Sequence, residues 1–250
     1  MKYLIYCVFS SRQPETFSPP SGVGGGSVVI LRQGDLGAAV SAGSDFLAPD
    51  VACLLAYERV VAYFHDHRTL IPMRYGCVFD QHSQIRRFLR EHDENYRSLL
   101  GKLDGTVEMG IRILLQDSET GKPDQPVSAA ARRTEHLTSA GAAYLMSRKN
   151  YYLVQDRQKA KSDSIAQTLR HRLSGHFVSS REEGRALSEH TSLLSIQFLV
   201  QRVSVDSFGR AVRSVAEEQH WKLLLSGPWP PYNFVDCSHQ KSMDRTATLI

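Results

Sequence analysis

The sequence predicts an α+β protein of two domains: a small N-terminal α+β domain over residues 1–105, and a modified ferredoxin-like domain with a long helical region over residues 106–235. Strands and amphipathic helices alternate up to Asp104-Gly105, a helix stop followed by a turn. The elements then run strand, helix, strand, strand, helix, strand, the ferredoxin-like order βαββαβ. Residues 236–250 show no periodicity and are expected to form a disordered tail.

The first three predicted strands are short and separated by turn formers. Residues 3–9 are rich in aromatic and β-branched side chains, as strands are. Residues 10–26 form a loop rich in Pro, Gly and Ser. The next two strands are residues 27–31 and 38–42, and the turn between them is marked by Gly34 and Gly37.

Two helices and a strand complete the first domain. A helix begins near Ala48-Pro49-Asp50, because Pro fits a first turn and an early Asp complements the helix dipole. Its inward face is predicted to be Val51, Leu54, Leu55, Val61 and Ala62. Residues 70–79 are predicted to form one strand. The second helix has an apolar face made of Ile85, Phe88, Leu89, Tyr96, Leu99, Leu100 and Leu103.

The second domain opens with a half-buried strand over residues 106–115. Its apolar side chains alternate as Val107, Met109, Ile111, Ile113 and Leu115. After a polar loop, the long helical region covers residues 128–173. The remaining elements are strands over 181–188 and 193–203, a helix over 204–219, and a last strand over 221–225 closed by Gly227-Pro228.

Composition and charge argue against several classes of protein without excluding them. Lys plus Arg number 30 against 26 Asp plus Glu, and the two signs are mixed along the helices, so no nucleic-acid partner is expected. The four cysteines form no CxxC pair and are expected to be free thiols of a cytoplasmic protein. The sequence has neither a signal peptide nor ~18 consecutive apolar residues, so no membrane partner is expected.

Three segments superficially suggest a ligand. The glycines of residues 22–26 precede a strand and lack the lysine of a phosphate loop, which favours a plain flexible loop. His65-Asp66-His67 could ligate a metal, but no third ligand is identifiable, and a polar helix end explains the residues better. Residues 74–79 resemble an RNA-stacking strand but lie outside the ferredoxin-like order. We therefore expect no metal, no cofactor and no catalytic residue.

Glu58 lies on the predicted apolar face of the first helix. A buried carboxylate is costly without a partner, and Arg74 on the following strand is the obvious candidate. We interpret Glu58 and Arg74 as a structural ion pair, with a catalytic or recognition site as the alternative.

Residues 227–235 (GPWPPYNFV) are the least ordinary segment. The prolines fix φ and remove backbone donors, so the segment cannot continue a central strand. Trp229, Tyr232 and Phe234 either cover a core edge or form an exposed docking surface. In the helical region, further candidate anchors are Tyr144, Tyr151 and Tyr152, although core packing explains them equally well.

Several segments together resemble the gas vesicle protein GvpF/GvpL family. GPWPPYNFV resembles the C-terminal signature of that family. LIPMRYGCVF at residues 70–79 and LAYERVV at 55–61 resemble two further family segments. So does GAAYL at 141–145 with Arg148-Lys149. The matches occur in the family's order over residues 3–235.

Some positions depart from the family's usual residues. Tyr57 stands where His is usual, Tyr75 where Phe is usual, and Cys77 where Thr is frequent. LLSIQFLV at residues 193–200 also differs. These differences bear on the F-type or L-type subgroup rather than on the family.

The resemblance implies the same two-domain fold and a non-enzymatic accessory role in gas vesicle assembly. Such a protein would bind the shell subunit GvpA and limit its aggregation during nucleation, together with other gas vesicle accessory proteins, at the vesicle in the cytoplasm. Two other classes stay open: a small-ligand enzyme centred on Glu58 and Arg74, which needs a pocket around them, and a ferredoxin-like RNA-binding protein, which needs a basic, aromatic sheet face.

Overall fold

A computed structural model describes residues 1–12, 18–43, 46, 50–116, 140–188 and 191–235, with only the backbone described for residues 116, 140–147, 149–151, 153–154, 184–188 and 191. The strands are β1 (Lys2–Ser10), β2 (Val28–Gln33), β3 (Leu36–Gly43), β4 (Leu70–Pro72), β5 (Val78–Phe79), β6 (Thr106–Gln116), β7 (Ser179–Ser188), β8 (Thr191–Gln201) and β9 (Leu223–Trp229). The helices are α1 (Val51–His67), α2 (His82–Glu91), α3 (Asp93–Lys102), α4 (Ala140–Arg172) and α5 (Val205–Gln219). The α+β class is confirmed.

The first sheet is antiparallel, with the order β2–β3–β1–β4 and with β5 also paired to β1. Helix α1 covers one face, and α2 and α3 cover the other. The central strand β1 is therefore buried on both sides, which explains why its residues from Leu4 to Phe9 are apolar without alternation. The turn between β2 and β3 lies at Gly34, whose φ is 57°. Gly37, predicted to share that turn, lies in β3 against the Phe9 ring.

Two predicted elements of this half are interrupted. The strand predicted over residues 70–79 is wrong as one element, because the chain turns at Tyr75 and at Gly76, whose φ is 93°. The helix predicted from Ile85 to Leu103 is two helices that meet at His92. Its predicted apolar face is nevertheless buried as one cluster, except for the partly buried Leu99.

The predicted inward face of α1 is largely wrong. Val51, Leu54 and Leu55 are 72%, 45% and 58% exposed. The buried residues are instead Ala56, Tyr57, Val60, Val61, Phe64 and His65. Large rings decide the orientation: Tyr57 stacks on Tyr6 at 5.0 Å between ring centroids, and Phe64 stacks on Phe9 at 5.3 Å.

The second sheet is antiparallel with the order β7–β8–β6–β9. This is the strand order of a ferredoxin-like domain, as the sequence predicted. Helices α4 and α5 pack on one face. The predicted alternation of β6 is confirmed, since Val107, Met109, Ile111, Ile113 and Leu115 are all buried.

The last strand continues beyond its predicted end. β9 runs through the Gly227–Pro228 peptide bond, which is cis, to Trp229. A proline is tolerated there because β9 is an edge strand, paired among the described strands with β6 alone.

The two halves share buried side chains. Leu199, Phe234 and Val235 belong to the same core cluster as the inner face of α2 and α3. Tyr232 packs against the cluster under α1. A domain boundary at residues 105 and 106 therefore stays a prediction.

Candidate functional site

The segment after β9 forms a strap, Pro230–Val235, which crosses the junction between the two halves. Pro230 and Pro231 are buried, and a short 3-10 turn over Tyr232–Phe234 follows. Proline suits this course because a strap outside both sheets needs few backbone donors. The predicted tail, residues 236–250, lies outside the described part of the chain.

The three aromatic residues of this region have different environments. Trp229 is 48% exposed. The Tyr232 ring is partly buried under α1, whereas Phe234 is buried, with the Arg181 guanidinium 5.6 Å from its ring centroid. Of the three predicted partner-binding candidates, only Trp229 is available to a partner without movement of the strap. Whether it binds one stays a prediction.

Glu108 on β6 anchors the strap. Its carboxylate is buried and accepts hydrogen bonds from the Asn233 backbone N–H at 2.8 Å and from Asn233 Nδ2 at 2.6 Å. Burial raises the pKa of Glu108, while the Asn233 hydrogen bonds and the charge of Arg181 act in the opposite direction. Sequence reasoning missed this pair because no spacing pattern connects residues 125 positions apart.

Glu58 is held from the other side of the junction. The Tyr232 hydroxyl donates to Glu58 Oε2 at 3.4 Å, and burial raises the pKa of Glu58. The predicted ion pair with Arg74 is wrong, since no ion pair of Glu58 occurs among the described residues and Arg74 is exposed. The reason is that β4 ends at Pro72 and the chain turns at Tyr75 and Gly76, so Arg74 is not part of a strand beside α1.

The first two turns of α1 form an uncovered strip consisting of Val51, Leu54 and Leu55. The Asp50 side chain caps this end of α1 by accepting a hydrogen bond from the Cys53 N–H at 2.7 Å. The helical spacing places the strip on the same side as Glu58. It is therefore an apolar surface next to Glu58, the residue of α1 that Tyr232 of the strap contacts.

A polar cleft of about 270 Å³ lies at the opposite end of α1. Arg202 Nη2 donates to the His65 carbonyl oxygen at 2.8 Å and lies 3.3 Å from His65 Nε2. Burial, assisted by the Arg202 charge, lowers the pKa of His65 to about 4. His65 is thus neutral near pH 7 and ties α1 to the second half.

The segments considered for metal, phosphate and RNA are engaged in packing. His67 Nδ1 lies 2.6 Å from the Tyr63 carbonyl oxygen, and within the described residues no three His, Cys, Asp or Glu side chains are grouped to hold a metal ion. Val23–Gly25 form a 3-10 turn before β2, and the Val23 N–H donates to the Tyr6 hydroxyl at 2.8 Å. Tyr75 packs edge-on against Tyr57.

The candidate anchors on α4 are described only in part. Tyr152 is 49% exposed and receives a hydrogen bond from Arg148 at 3.3 Å. The side chains of Tyr144 and Tyr151 lie outside the described residues. Over the described part of the chain, no helix combines the length and apolar character needed to cross a bilayer.

Cys7, Cys53 and Cys77 are free, as predicted, and Cys237 lies outside the described residues. Burial raises the pKa of Cys77 to about 12. The buried thiols are therefore weakly reactive.

Comparison with known proteins gives consistent results. A family model described as gas vesicle synthesis protein GvpL/GvpF matches residues 2–236. Gas vesicle protein L of Streptomyces sp. (strain CB03234) is 27% identical over 237 residues, covering 88% of this chain and 87% of that protein. Gas vesicle protein F of the same strain is 26% identical over 253 residues, covering 94% and 100%. Similarity to an F protein and to an L protein is thus nearly equal.

Two crystal structures have the same fold. GvpF from Anabaena sp. PCC7120 superposes with a TM-score of 0.73 at 19% identity, covering 95% of this chain and 97% of that one. GvpF from Microcystis aeruginosa gives a TM-score of 0.72 at 15% identity, covering 93% and 98%.

Proposed function

Because the chain belongs to the gas vesicle GvpL/GvpF family, whose role lies in gas vesicle assembly, we propose that it is a non-enzymatic accessory protein that binds the shell subunit GvpA. Binding would limit GvpA aggregation during nucleation, at the vesicle and beside other gas vesicle accessory proteins. The observation that carries the proposal is the uncovered strip of α1, an apolar surface beside the strap.

The physical reasoning concerns exposed apolar surface. A shell subunit that associates through apolar faces aggregates when those faces meet water before assembly. A folded binder with its own apolar surface can cover such a face until the subunit is incorporated. This role needs neither a cofactor nor a catalytic group.

The structure does not support the enzyme alternative at the residues on which it was based. It required Glu58 and Arg74 to act together in a pocket, but Arg74 is exposed and Glu58 accepts a hydrogen bond from Tyr232 instead. The cleft at the other end of α1 has Arg202 engaged with the His65 carbonyl oxygen. Neither the Glu58 region nor this cleft therefore favours an enzymatic function over a binding function.

Co-expression with GvpA tests the proposal. The tagged chain is captured by affinity, and the GvpA recovered with it and in the supernatant is quantified against GvpA expressed alone. We expect the chain to retain GvpA and to increase its amount in the supernatant. If the folded chain neither retains GvpA nor increases its soluble amount, direct GvpA binding is wrong, and the chain would act through the other accessory proteins.

Two aromatic variants separate the candidate contacts. Trp229→Ala and Tyr152→Ala remove rings of nearly equal exposure, 48% and 49%, from different elements. Loss of GvpA in one variant and not in the other shows that β9 or α4 contributes to the contact in addition to the strip of α1.

A further inference from the structure

The uncovered strip is the free end of a helix face that is buried further along. From Val61 to His65 the same side of α1 is buried, and Glu58, which precedes them on that side, is half-buried and hydrogen-bonded to Tyr232. Val51, Leu54 and Leu55 precede these residues at helical spacings of three, four and seven. The strip is therefore continuous with the junction inside the molecule and has the apolar character of a buried face.

Carboxylates stand at both ends of the strip. Asp50 is fixed at one end by its cap on the Cys53 N–H, and Glu58 at the other by Tyr232. Glu58 is eight positions after Asp50, which corresponds to a rise of about 12 Å along the helix. Within the part of the chain that the structure describes, neither carboxylate has a Lys, Arg or His nitrogen within 4.0 Å.

Arg59, the cationic side chain next to Glu58 in sequence, bonds to the helix backbone. Arg59 is exposed, and its Nε donates to the Leu55 carbonyl oxygen at 3.3 Å. The strip thus presents three apolar side chains between two negative charges.

We propose that the uncovered strip docks an apolar segment of GvpA that is bracketed by two basic side chains about 12 Å apart. The inference rests on the proposed function, and it names the surface and the chemistry that would recognise the subunit. Apolar contact would supply most of the affinity, because exposed leucine and valine lose water on docking. The two carboxylates would fix the register and reject acidic segments.

The apolar part is tested with Leu54→Asp and Leu55→Asp in the co-expression capture. Each variant places a charge in the docked surface, and GvpA capture is expected to fall about tenfold or more. Val203→Asp is the matched control, because Val203 is an apolar residue 95% exposed outside the strip. Circular dichroism and thermal unfolding of each purified variant confirm that the fold is retained.

The charged part is tested with conservative variants that spare the fold. Asp50→Asn keeps a good helix cap and Glu58→Gln keeps an acceptor for Tyr232, while each removes one charge. We expect the double variant to weaken capture about 2- to 5-fold at low salt. We also expect it to abolish most of the difference between 50 and 500 mM salt seen with the unchanged chain.

The outcomes separate the two proposals. If the unchanged chain captures GvpA and all strip variants capture it equally well, the strip is not the contact, and the proposed function stands. If only the charge variants behave like the unchanged chain, the bracketing by basic residues is wrong. Failure of the unchanged chain to capture GvpA overturns both the docking surface and direct GvpA binding.

Discussion

Replacing Asn233 by alanine removes a side-chain amide that donates to a buried carboxylate. Asn233 Nδ2 lies 2.6 Å from Glu108 Oε1, and the Glu108 side chain is almost completely enclosed. The backbone N–H of residue 233, which bonds Glu108 Oε2 at 2.8 Å, remains in the variant. The substitution therefore removes one of two charge-assisted hydrogen bonds without deleting the carboxylate.

A hydrogen bond to a charged group contributes about 1.5–3 kcal/mol, and an unsatisfied buried acceptor costs a similar amount. We expect Asn233→Ala to lower the free energy of unfolding by about 2 kcal/mol at pH 7. In a chain of this size that corresponds to a fall in Tm of about 4–8 °C.

The effect depends on pH with a defined sign. Burial raises the pKa of Glu108 above its ordinary 4.5, so the stability associated with this group is fully present below pH 4.5 and declines as the pH rises through the folded-state pKa. The Asn233 bonds oppose that decline because they favour the ionised form. The variant should therefore differ most from the unchanged chain at pH 7, and less near pH 4.

Urea unfolding followed by circular dichroism at pH 7 and pH 4 measures both differences. Asn95→Ala is the control, since Asn95 is exposed on α3, and its change should stay within about 0.5 kcal/mol. The reasoning about the strap is refuted if Asn233→Ala unfolds at the same urea concentration as Asn95→Ala at pH 7.

Three further predictions concern the cores and the junction. The pKa of His65 is lowered from 6.5 to about 4, so acidification from pH 6.5 to pH 4 should lower the free energy of unfolding by about 3 kcal/mol. In His65→Gln, urea titrations should show a flatter dependence of stability on pH. The same pH dependence in the variant and the unchanged chain would contradict this. Tyr57→Phe removes a hydroxyl that donates to the Met73 carbonyl oxygen at 2.7 Å, so thermal unfolding should show a loss of about 1–2 kcal/mol. Gly37→Ala places a methyl group 2.9 Å from the Phe9 ring, so urea unfolding should show a loss of about 1–3 kcal/mol in the free energy of unfolding. Unchanged stability would mean that the ring moves aside without cost.

In the second half of the chain, the fold was predictable wherever the spacing of apolar residues alone determines which side chains are buried. The apolar side chains of β6 alternate without exception from Val107 to Leu115, and they are buried as the alternation requires. The order of elements then gave the ferredoxin-like topology, because few arrangements of βαββαβ are right-handed and unknotted.

The orientation of α1 was not predictable in the same way. Apolar residues occur on nearly every side of α1, so spacing allowed more than one inward face. Stacking of Tyr57 and Phe64 on rings from β1 decided between them, and those contacts join residues far apart in sequence. Val51, Leu54 and Leu55, at the start of α1, stay exposed and form the uncovered strip.

For the candidate site, the sequence predicted the segment involved but not the residues that this segment contacts. The unusual composition of residues 227–235 identified it, but the partner of Glu58 depended on a turn at Gly76 that a strand-like pattern concealed. The Glu108 and Asn233 pair carries no local signal at all, because each residue is ordinary in its own segment.

The strap also has a consequence for synthesis of the chain on the ribosome. Phe234 and Val235 complete a core whose other members come mostly from residues before 104. Translation therefore delivers the first sheet and its helices long before the last two side chains that close their apolar cluster. A nascent chain stalled after α5 would expose that cluster, so the final step of folding awaits the emergence of residue 235 and brings both halves to completion together.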